Sequence, residues 1–536
     1  MKINKNLIKK IPSVSLNSRR DFLKNTAALA AFAAAGPLPG FSDFISKRKA
    51  EDETPPAVMQ QQQQRRIGRM NGIQVGPDSF VDEGTEKVLD ILQEKGAVNT
   101  IFLTTFTHGQ GLAGRQTEKN LHDHGNPASS GKPFFGGNFA TPHAEFYKNT
   151  ILNDMRAPDF DNLDIVAEVL PAAKKRGMRV FCSVEDQMRL ERPGAKETAE
   201  VDLYGRQAGT LCLFHPDVHA FWTALVTDLC RSYKVDGILF FNERNGPLLT
   251  ALGASHFQSI SSSRVTCFCD QHKKAATEHG INFDRAKEGY LKLDQFVQAC
   301  LKDERPSDGY YVQFQRLLLD YPEIVAYDRL FDYGKHQILD EVRSAVKEVD
   351  SNLLVGFHIE HVNSFNPFFR ATRSYSDLAS LADFLKVVVY NNCGGERYAN
   401  FIRNIGSTLF RDVPKDVLMR FNNRLLNYEN EANLEDLPKT GLSPDYVYRE
   451  TKRALVGVQG KCGILPGIDI GIPVGSNSRI ASPDDTYAAT LAAFNAGSTG
   501  VILSRKYSEM QLANLEAAGK AIRDGVKMVL PVIRYD

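Results

Sequence analysis

The sequence predicts a (β/α)₈ TIM barrel with a large helical insertion after the fourth strand. Eight short apolar runs, rich in β-branched and aromatic residues, are separated by helical patterns and by polar connections. Eight parallel strands can close into a barrel that has no exposed sheet edge. A doubly wound open sheet is the alternative architecture, but no Gly-x-Gly-x-x-Gly pattern follows a predicted strand.

The eight predicted strands extend over most of the chain after residue 67. They are Gly68–Val75, Asn99–Phe106, Arg179–Glu185, Gly237–Asn242, Leu353–Ile359, Phe384–Tyr390, Gly463–Ile468 and Thr499–Ser504. Three long connections, residues 107–160, 245–340 and 392–450, each follow the end of a strand, and the second has a mostly helical pattern. Because connections at the carboxyl ends of barrel strands form the substrate cleft, we expect the functional residues there.

The amino terminus carries the pattern of an export signal. Residues 1–45 are predicted to be a twin-arginine signal peptide, because Arg19-Arg20 lies in a Ser-Arg-Arg-x-Phe-Leu-Lys pattern before a short apolar stretch. Residues 46–66 contain charge runs, two prolines and five glutamines, and are predicted to be a disordered linker. The barrel domain is expected to cover residues 67–536, and the protein is expected to be periplasmic or secreted after passage through the twin-arginine export machinery.

Composition excludes some classes of partner. The chain has 65 basic and 64 acidic residues and a formal net charge of +1, so no basic surface for a nucleic acid is expected. No apolar run reaches the roughly 20 residues that span a bilayer, so we expect no stable membrane anchor. The eight cysteines are too sparse in 536 residues for the framework of a small disulfide-rich domain.

Two carboxylates follow predicted strands directly. Glu243 comes after the apolar fourth strand, where a barrel opens to solvent, and an apolar rim raises the pKa of a carboxyl toward that of a general acid. Asp469 follows the seventh strand and is the predicted partner carboxylate. The alternatives are an ion pair between Glu243 and Arg244, and a turn-forming role for Asp469 among its neighbouring glycines.

The Asn242-Glu243 pair and the eight-strand layout resemble the large clan of retaining glycoside hydrolases that are built on this barrel. The resemblance implies a carbohydrate substrate and an acid/base role for Glu243. In that clan the nucleophile is a glutamate at the end of the seventh strand, whereas Asp469 stands there in this chain. The side chain of aspartate is one methylene shorter, which changes the separation of the two carboxylates and with it the stereochemical outcome.

Polar and aromatic residues at the other strand ends are predicted to bind the substrate. Such groups bind sugar hydroxyls and stack on sugar faces, although each of them could instead cap a loop. Strand alternation places His358 and Glu360 on the same side of the fifth strand. The predicted binding residues are Asn242, Arg244, Glu185, His358, Glu360, Tyr390, Asn391, Arg505 and Tyr507.

A short segment in the helical insertion is rich in metal-ligating residues. Residues 266–272 resemble the Cys-x-Cys-x-x-Cys segment of family 42 β-galactosidases, which holds a structural zinc in some members. The resemblance implies that Cys267, Cys269 and His272 bind a metal. No fourth ligand is close in sequence, and Cys300 is the candidate; two packed thiols are the alternative. We expect that catalysis requires no cofactor.

Three functions compete at this point. The first is a glycoside hydrolase with a carboxylate pair at the barrel mouth. The Asn242-Glu243 pair and the long insertion favour this function, and export from the cytoplasm is consistent with a glycan substrate outside it. The second is a metal-dependent sugar isomerase or epimerase-like barrel, with ligands drawn from Glu185, Glu243, His358, Glu360 and Asp469. The third is a glycan-binding barrel without activity, because the seventh strand lacks a glutamate.

Overall fold

A computed structural model describes residues 67–112, 123–126, 133–153, 155–160, 162–186, 192–256, 260, 265–472, 475 and 478–529. The predicted signal peptide and linker, residues 1–45 and 46–66, lie outside these residues. Among the helices that are described, none combines the length and the apolar character needed to cross a membrane.

Eight parallel strands, labelled β1 to β8, form a closed barrel. They are Asn71–Val75, Thr100–Leu112, Arg179–Glu185, Gly237–Phe241, Leu354–Ile359, Phe384–Val388, Gly463–Asp469 and Val501–Ser504. Neighbours in the sequence pair in order, and β1 closes the barrel by pairing with both β2 and β8. The predicted (β/α)₈ fold is therefore confirmed, and each predicted strand overlaps one observed strand.

Alternation along the strands divides the core into two layers. Inward-facing side chains form a compact inner cluster, in which Phe102 lies 5.2 Å from Phe181 and 6.1 Å from Phe384 between ring centroids. The other side chains of each strand pack against the surrounding helices in a larger cluster. Strands buried on both faces require nearly continuous apolar runs, which is the pattern that the sequence shows.

Helices surround the barrel and also form much of the segment between β4 and β5. Their bounds are Pro77–Glu83, Thr85–Glu94, Ile165–Lys175, Pro216–Ser232, Pro247–Ala251, Asp270–Glu278, Phe283–Leu301, Tyr310–Asp320, Glu323–Val349, Val362–Phe365, Pro367–Thr372, Tyr375–Leu378, Asn391–Ile405, Lys415–Leu426, Leu437–Thr440, Pro444–Val458, Pro483–Asn495 and Leu512–Val529. Three-residue 3₁₀ turns cover Ala144–Phe146, Pro158–Phe160 and Tyr507–Glu509.

The helical segment after β4 ends in a long barrel helix. Glu323–Val349 has 27 residues and packs against Pro216–Ser232, β4 and β5. It continues through residue 340, the predicted end of the insertion, and leads directly into β5. The last part of the predicted insertion is therefore the helix that connects two neighbouring barrel strands.

Two additional strand pairs extend the loops at the barrel mouth. Pro133–Asn138 runs antiparallel to the end of β2. Ala199–Val201 pairs with Gln207–Leu211 in a short hairpin after β3. This hairpin ends beside Cys212, which brings that cysteine to the loops that follow β3 and β4.

Candidate active site and metal-binding cluster

The strand register places several polar side chains at the carboxyl end of the barrel. Glu185 pairs with Phe241 across β3 and β4, and His358 pairs with Lys386 across β5 and β6. Phe241 belongs to the inner cluster. Side chains alternate along a strand, so Glu185, four residues beyond the inward-facing Phe181, faces the same inner side as Phe241. Glu243 lies two residues beyond Phe241.

Glu243 is accessible, and His358 holds its carboxylate. Nε2 of His358 makes a short contact with Oε1 of Glu243. The side chain of Glu243 is 56% exposed, whereas that of His358 is 3% exposed. The His358 ring also packs on Phe241, with 4.5 Å between ring centroids. A buried, packed imidazole therefore fixes one oxygen of an exposed carboxylate at the barrel mouth.

The charges around Glu243 keep it ionised. The surrounding protein alone would raise its pKa, but His358, Lys386 and Arg397 together hold the pKa of Glu243 below its ordinary value of 4.5. Burial lowers the pKa of His358, and the charge of Glu243 opposes that shift. The expected apolar rim is instead lined by cationic side chains, and the pKa of Glu243 is lowered rather than raised.

Lys386, which is not among the residues predicted from the sequence, lies inside the barrel beside this pair. Its Nζ donates a hydrogen bond to Oε1 of Gln74 and another, of 3.1 Å, to the hydroxyl of Tyr390. Burial lowers the pKa of Lys386 to about 7, and the charges of Glu243 and Glu185 oppose that shift. A Cβ at Gly467 would lie 3.1 Å from Cε of Lys386, so the glycine leaves room for the lysine.

Glu185 provides a second carboxylate at the mouth. Thr107 donates a 2.5 Å hydrogen bond to Oε2 of Glu185, and the side chain of Glu185 is partly exposed. Its charge and that of Glu243 both act on Lys386. Glu185 is predicted from the sequence as a binding residue, and the register places it beside Phe241, two residues before Glu243 on the neighbouring strand.

Asp469 is placed differently from the expectation. Its side chain is 1% exposed, Oδ2 accepts a 3.0 Å hydrogen bond from the Cys393 amide, and Oδ1 accepts from Gly471 and Ile472 at 3.2 and 3.1 Å. Burial raises the pKa of Asp469, and the three amides oppose that shift. Both oxygens hold backbone groups, so the turn-forming alternative describes Asp469 better than the predicted catalytic role.

We expect Asp469→Asn to weaken the fold. Asparagine retains only one acceptor oxygen, so at least one buried amide among Cys393, Gly471 and Ile472 loses its partner. An unsatisfied buried amide costs about 1–3 kcal/mol, which should lower the free energy of unfolding measured in urea by that amount. An unchanged urea midpoint, together with lost activity, would restore Asp469 as a catalytic candidate.

Glu360 and Arg244 also differ from their predicted binding roles. Glu360 is 7% exposed, and Lys335 and Arg373 contact its carboxylate at 2.8 and 2.6 Å. β5 ends at Ile359 and the chain then turns, so the alternation that would have paired Glu360 with His358 does not continue. Arg244 is 6% exposed, and its guanidinium contacts Asp186 at 3.1 Å. Both side chains serve buried ion pairs.

The other predicted binding residues lie near the barrel mouth, and they differ in how firmly other protein groups hold their side chains. Tyr390 accepts the hydrogen bond from Lys386, and Asn391 is the buried first residue of helix Asn391–Ile405. Asn242 is 5% exposed, and its side-chain amide has no hydrogen-bond partner among the described residues. Arg505 pairs with Glu509 at 2.5 Å, and the fully buried Tyr507 donates to Glu83 at 3.1 Å. Tyr390 is thus the predicted binding residue that directly contacts the site lysine.

Arg397 is a further residue that the sequence did not reveal. It lies on helix Asn391–Ile405, and its charge lowers the pKa of Glu243. Its Nη1 donates a 3.2 Å hydrogen bond to Nδ1 of His361. No local pattern marks an arginine at the second turn of a helix as a site residue, because its position depends on how that helix follows β6.

The predicted metal-binding segment forms a compact cluster with a fourth residue. The ligand atoms of Cys212, Cys267, Cys269 and His272 all lie within 4.8 Å of one another. Sγ of Cys212 is 3.4 Å from Sγ of Cys269 and 3.2 Å from Nδ1 of His272. Tetrahedral zinc with Zn–S bonds of about 2.3 Å requires ligand atoms roughly 3.5–3.8 Å apart, so the cluster fits zinc.

The surroundings of the cluster also suit a metal–thiolate site. The amides of Val201 and Phe214 point at Sγ of Cys267 and Cys212, each at 3.4 Å, and amide donors of this kind orient and stabilise ligating sulfurs. The fourth member is Cys212, and the candidate Cys300 is not part of the cluster. The sequence could not identify Cys212 because the hairpin after β3 brings it across 55 residues of chain to Cys267.

Comparisons with known proteins add solved structures of low similarity. No protein-family model and no curated protein matches the sequence. An α-L-fucosidase isoenzyme 2 from Paenibacillus thiaminolyticus is 12% identical with a TM-score of 0.47, over 87% of this chain and 50% of that one. A β-galactosidase from the psychrophilic Marinomonas ef1 is 10% identical with a TM-score of 0.48, over 87% and 61%.

The PgaB (BpsB) glycoside hydrolase domain from Bordetella bronchiseptica is 12% identical with a TM-score of 0.43, over 85% of this chain and 99% of that domain. This chain therefore matches about half the length of the fucosidase but nearly all of the PgaB domain. The class that fold and site define is a closed (β/α)₈ barrel with two carboxylates at its mouth.

Proposed function

We propose that this protein is a glycoside hydrolase whose active site is the barrel mouth around Glu243. The observation that supports the proposal is an exposed, ionised Glu243 held by His358, with Glu185 facing the same mouth from the neighbouring strand. Two carboxylates that flank the scissile bond are the usual means of glycoside hydrolysis. Asp469 and Glu360, both engaged in buried contacts, are not the second carboxylate in this proposal.

The two carboxylates have different roles. Glycoside cleavage develops positive charge at the anomeric carbon, and an ionised carboxylate beside that carbon stabilises it or attacks it. Glu243 fits this role because His358 and Lys386 keep it ionised. Glu185 is then the group that exchanges a proton with the glycosidic oxygen, in reach of the Thr107 hydroxyl. The acid/base role that the sequence suggested for Glu243 passes to Glu185.

The competing functions receive less support from the geometry. A metal-dependent isomerase needs several oxygen or imidazole ligands in one place. Among the described residues, the group that is close enough to hold a metal is the cysteine and histidine cluster. Its thiol and imidazole ligands suit a structural zinc, not the oxygen-ligated metal of a sugar isomerase. A barrel that only binds glycans has no need to keep an accessible carboxylate ionised with cationic neighbours. We also propose that the protein is exported by the twin-arginine route and that its substrate is a glycan outside the cytoplasm.

We also propose that Cys212, Cys267, Cys269 and His272 bind a structural zinc. A bound zinc would cross-link the segments that carry its four protein ligands, and no coordination position would remain open for a substrate. The residues themselves connect the hairpin after β3 with the start of helix Asp270–Glu278. Nδ1 of His272 faces the thiols, and the ring packs against Phe214. The cluster therefore holds two mouth loops together.

The pH dependence of aryl glycoside hydrolysis tests the proposed function. Glu243 must be ionised, so activity should persist down to pH values below 4.5, the ordinary carboxyl pKa. Lys386, with a pKa of about 7, is charged throughout the acidic range and stabilises ionised Glu243 there. Lys386→Met should shift the acidic limb of the pH profile upward, because a carboxyl without a cationic neighbour protonates more easily.

The control is Lys95→Met, which removes a surface lysine that pairs with Glu516. It should leave the acidic limb where it is in the wild-type protein. Failure of the wild-type protein to hydrolyse any of a panel of aryl glycosides across this pH range would contradict the proposed function.

A further inference from the structure

We propose that Lys335 and Arg373 are positioning residues that hold the carbonyl groups of Asn242 and Arg244, the neighbours of Glu243 in the chain, and thereby aim its carboxylate. The inference rests on the proposed function of Glu243, but it concerns two buried residues that do not contact the carboxylate of Glu243 themselves. β4 ends at Phe241, so the residues from Asn242 to Arg244 lie beyond its regular strand pairing. Their backbone needs other partners to be held in one conformation.

Lys335 supplies two of these partners. Its Nζ donates hydrogen bonds to the carbonyl oxygens of Asn242 and Arg244, at 2.8 and 3.0 Å. These carbonyls belong to the residues immediately before and after Glu243. A third hydrogen bond, of 2.8 Å, goes to Oε1 of Glu360, so all three protons of the ammonium group are used. One side chain therefore fixes the backbone at both neighbours of the proposed catalytic residue.

Arg373 completes the arrangement from another segment. Its Nη2 donates a 3.0 Å hydrogen bond to the same Arg244 carbonyl, and its Nη1 donates to both oxygens of Glu360 at 2.6 and 2.8 Å. A further contact, of 3.2 Å, reaches Oδ1 of Asp332. Lys335 comes from helix Glu323–Val349, Arg373 from the end of helix Pro367–Thr372, and Glu360 from the chain just after β5.

Lys335, Glu360 and Arg373 are buried, so stabilisation of the fold alone explains their presence poorly. Lys335, Glu360 and Arg373 are 4%, 7% and 6% exposed. Buried ion pairs are costly to desolvate, and apolar residues of similar volume often stabilise a fold at least as well. What an apolar replacement cannot provide is a set of donors for the two carbonyls that flank Glu243. The direction of the Glu243 side chain toward His358 depends on that backbone segment.

Lys335→Met tests the inference, with Lys347→Met as a matched control on the same helix. Lys347 also forms a buried ion pair, 2.7 Å from Asp383, but Asp383 precedes β6 at the opposite end of the barrel. Both variants should unfold at lower urea concentration. Only Lys335→Met should reduce kcat, by about 10–100-fold with KM nearly unchanged, since a misplacement of about 1 Å can cost about 10²-fold. An equal kcat for the two variants would overturn the inference.

A second readout does not require hydrolase activity, so failure of the inference and failure of the proposed function remain distinguishable. Histidine labelled with nitrogen-15 reports the contact of His358 with Glu243, and His358→Gln assigns its NMR signals. Lys335→Met should shift the His358 signals, and Lys347→Met should not. If Lys335→Met does not fold, Arg373→Lys replaces it, because a single ammonium group replaces the two guanidinium nitrogens that donate separately to Glu360 and to the Arg244 carbonyl. Unshifted His358 signals in a folded variant would overturn the inference even if the protein hydrolyses no glycoside.

Discussion

Replacement of Glu243 by glutamine is expected to reduce kcat on the order of 10³-fold, for an aryl glycoside and for an oligosaccharide alike. Glutamine preserves the size of the side chain but carries no charge. The charge is needed at the anomeric carbon whatever the leaving group is, so a good leaving group cannot compensate for its loss. The measurement is kcat for folded Glu243→Gln on substrates with good and poor leaving groups.

The pattern across the two substrates separates the roles of Glu243. If Glu243→Gln spares the aryl glycoside and fails only on the oligosaccharide, then Glu243 is a general acid and its ionised state is not the working state. Glu185→Gln should show that pattern, because an activated leaving group needs less protonation. Glu288→Gln, at a surface glutamate that accepts from Tyr321, is the control and should leave both rates unchanged. If both rates survive in Glu243→Gln, the proposed site is wrong.

Cys212→Ser is expected to lose zinc and to lower the melting temperature substantially. Structural zinc sites in small peptides bind with about 10–16 kcal/mol, so losing one ligand should cost several kcal/mol of that binding. Metal analysis of the purified wild-type protein should give about one zinc per chain. Cys300→Ser is the matched control, because Cys300 is also a buried thiol but lies outside the cluster. Equal zinc contents in the two variants would contradict a site that contains Cys212.

Zinc loss should also lower activity. Nη1 of Arg244 donates a 2.5 Å hydrogen bond to the carbonyl of Leu211, the residue before Cys212. Arg244 in turn follows Glu243 directly, so movement of the metal-binding hairpin reaches the backbone of the proposed catalytic residue. A chelator that removes zinc without reducing kcat would show that the cluster and the barrel mouth are independent.

The sequence could predict the barrel because its signals are local. Strands such as β4 and β6 are buried on both faces, and that burial requires the uninterrupted apolar runs that the sequence displays. The end of a strand is also a local signal. It predicts that Glu243, His358 and Glu185 lie at one end of the barrel, and the structure has them there. The helix Glu323–Val349 was harder to place because its apolar positions serve both the insertion and the barrel.

The contacts within the site depend on distant segments, and the sequence could not predict them. Asp469 follows a strand just as Glu243 does, but the amide of Cys393, 76 residues earlier, occupies its carboxylate. Glu360 is held by Arg373 and by Lys335 of a helix that precedes β5. Lys386 had one local signal, a single lysine within an otherwise apolar strand. A charged residue within an apolar barrel strand is therefore the sequence pattern that indicates Lys386 as a site residue.

The most direct measurement is a crystal structure with a bound iminosugar, whose ring cation resembles the charge that develops during glycoside cleavage. The structure predicts that the ring nitrogen binds between the carboxylates of Glu243 and Glu185, within hydrogen-bond distance of Glu243, and that Asp469 keeps its three backbone amides. An iminosugar that binds elsewhere, or that contacts Asp469 while Glu243 stays free, would contradict the assignment of the barrel mouth around Glu243 as the active site.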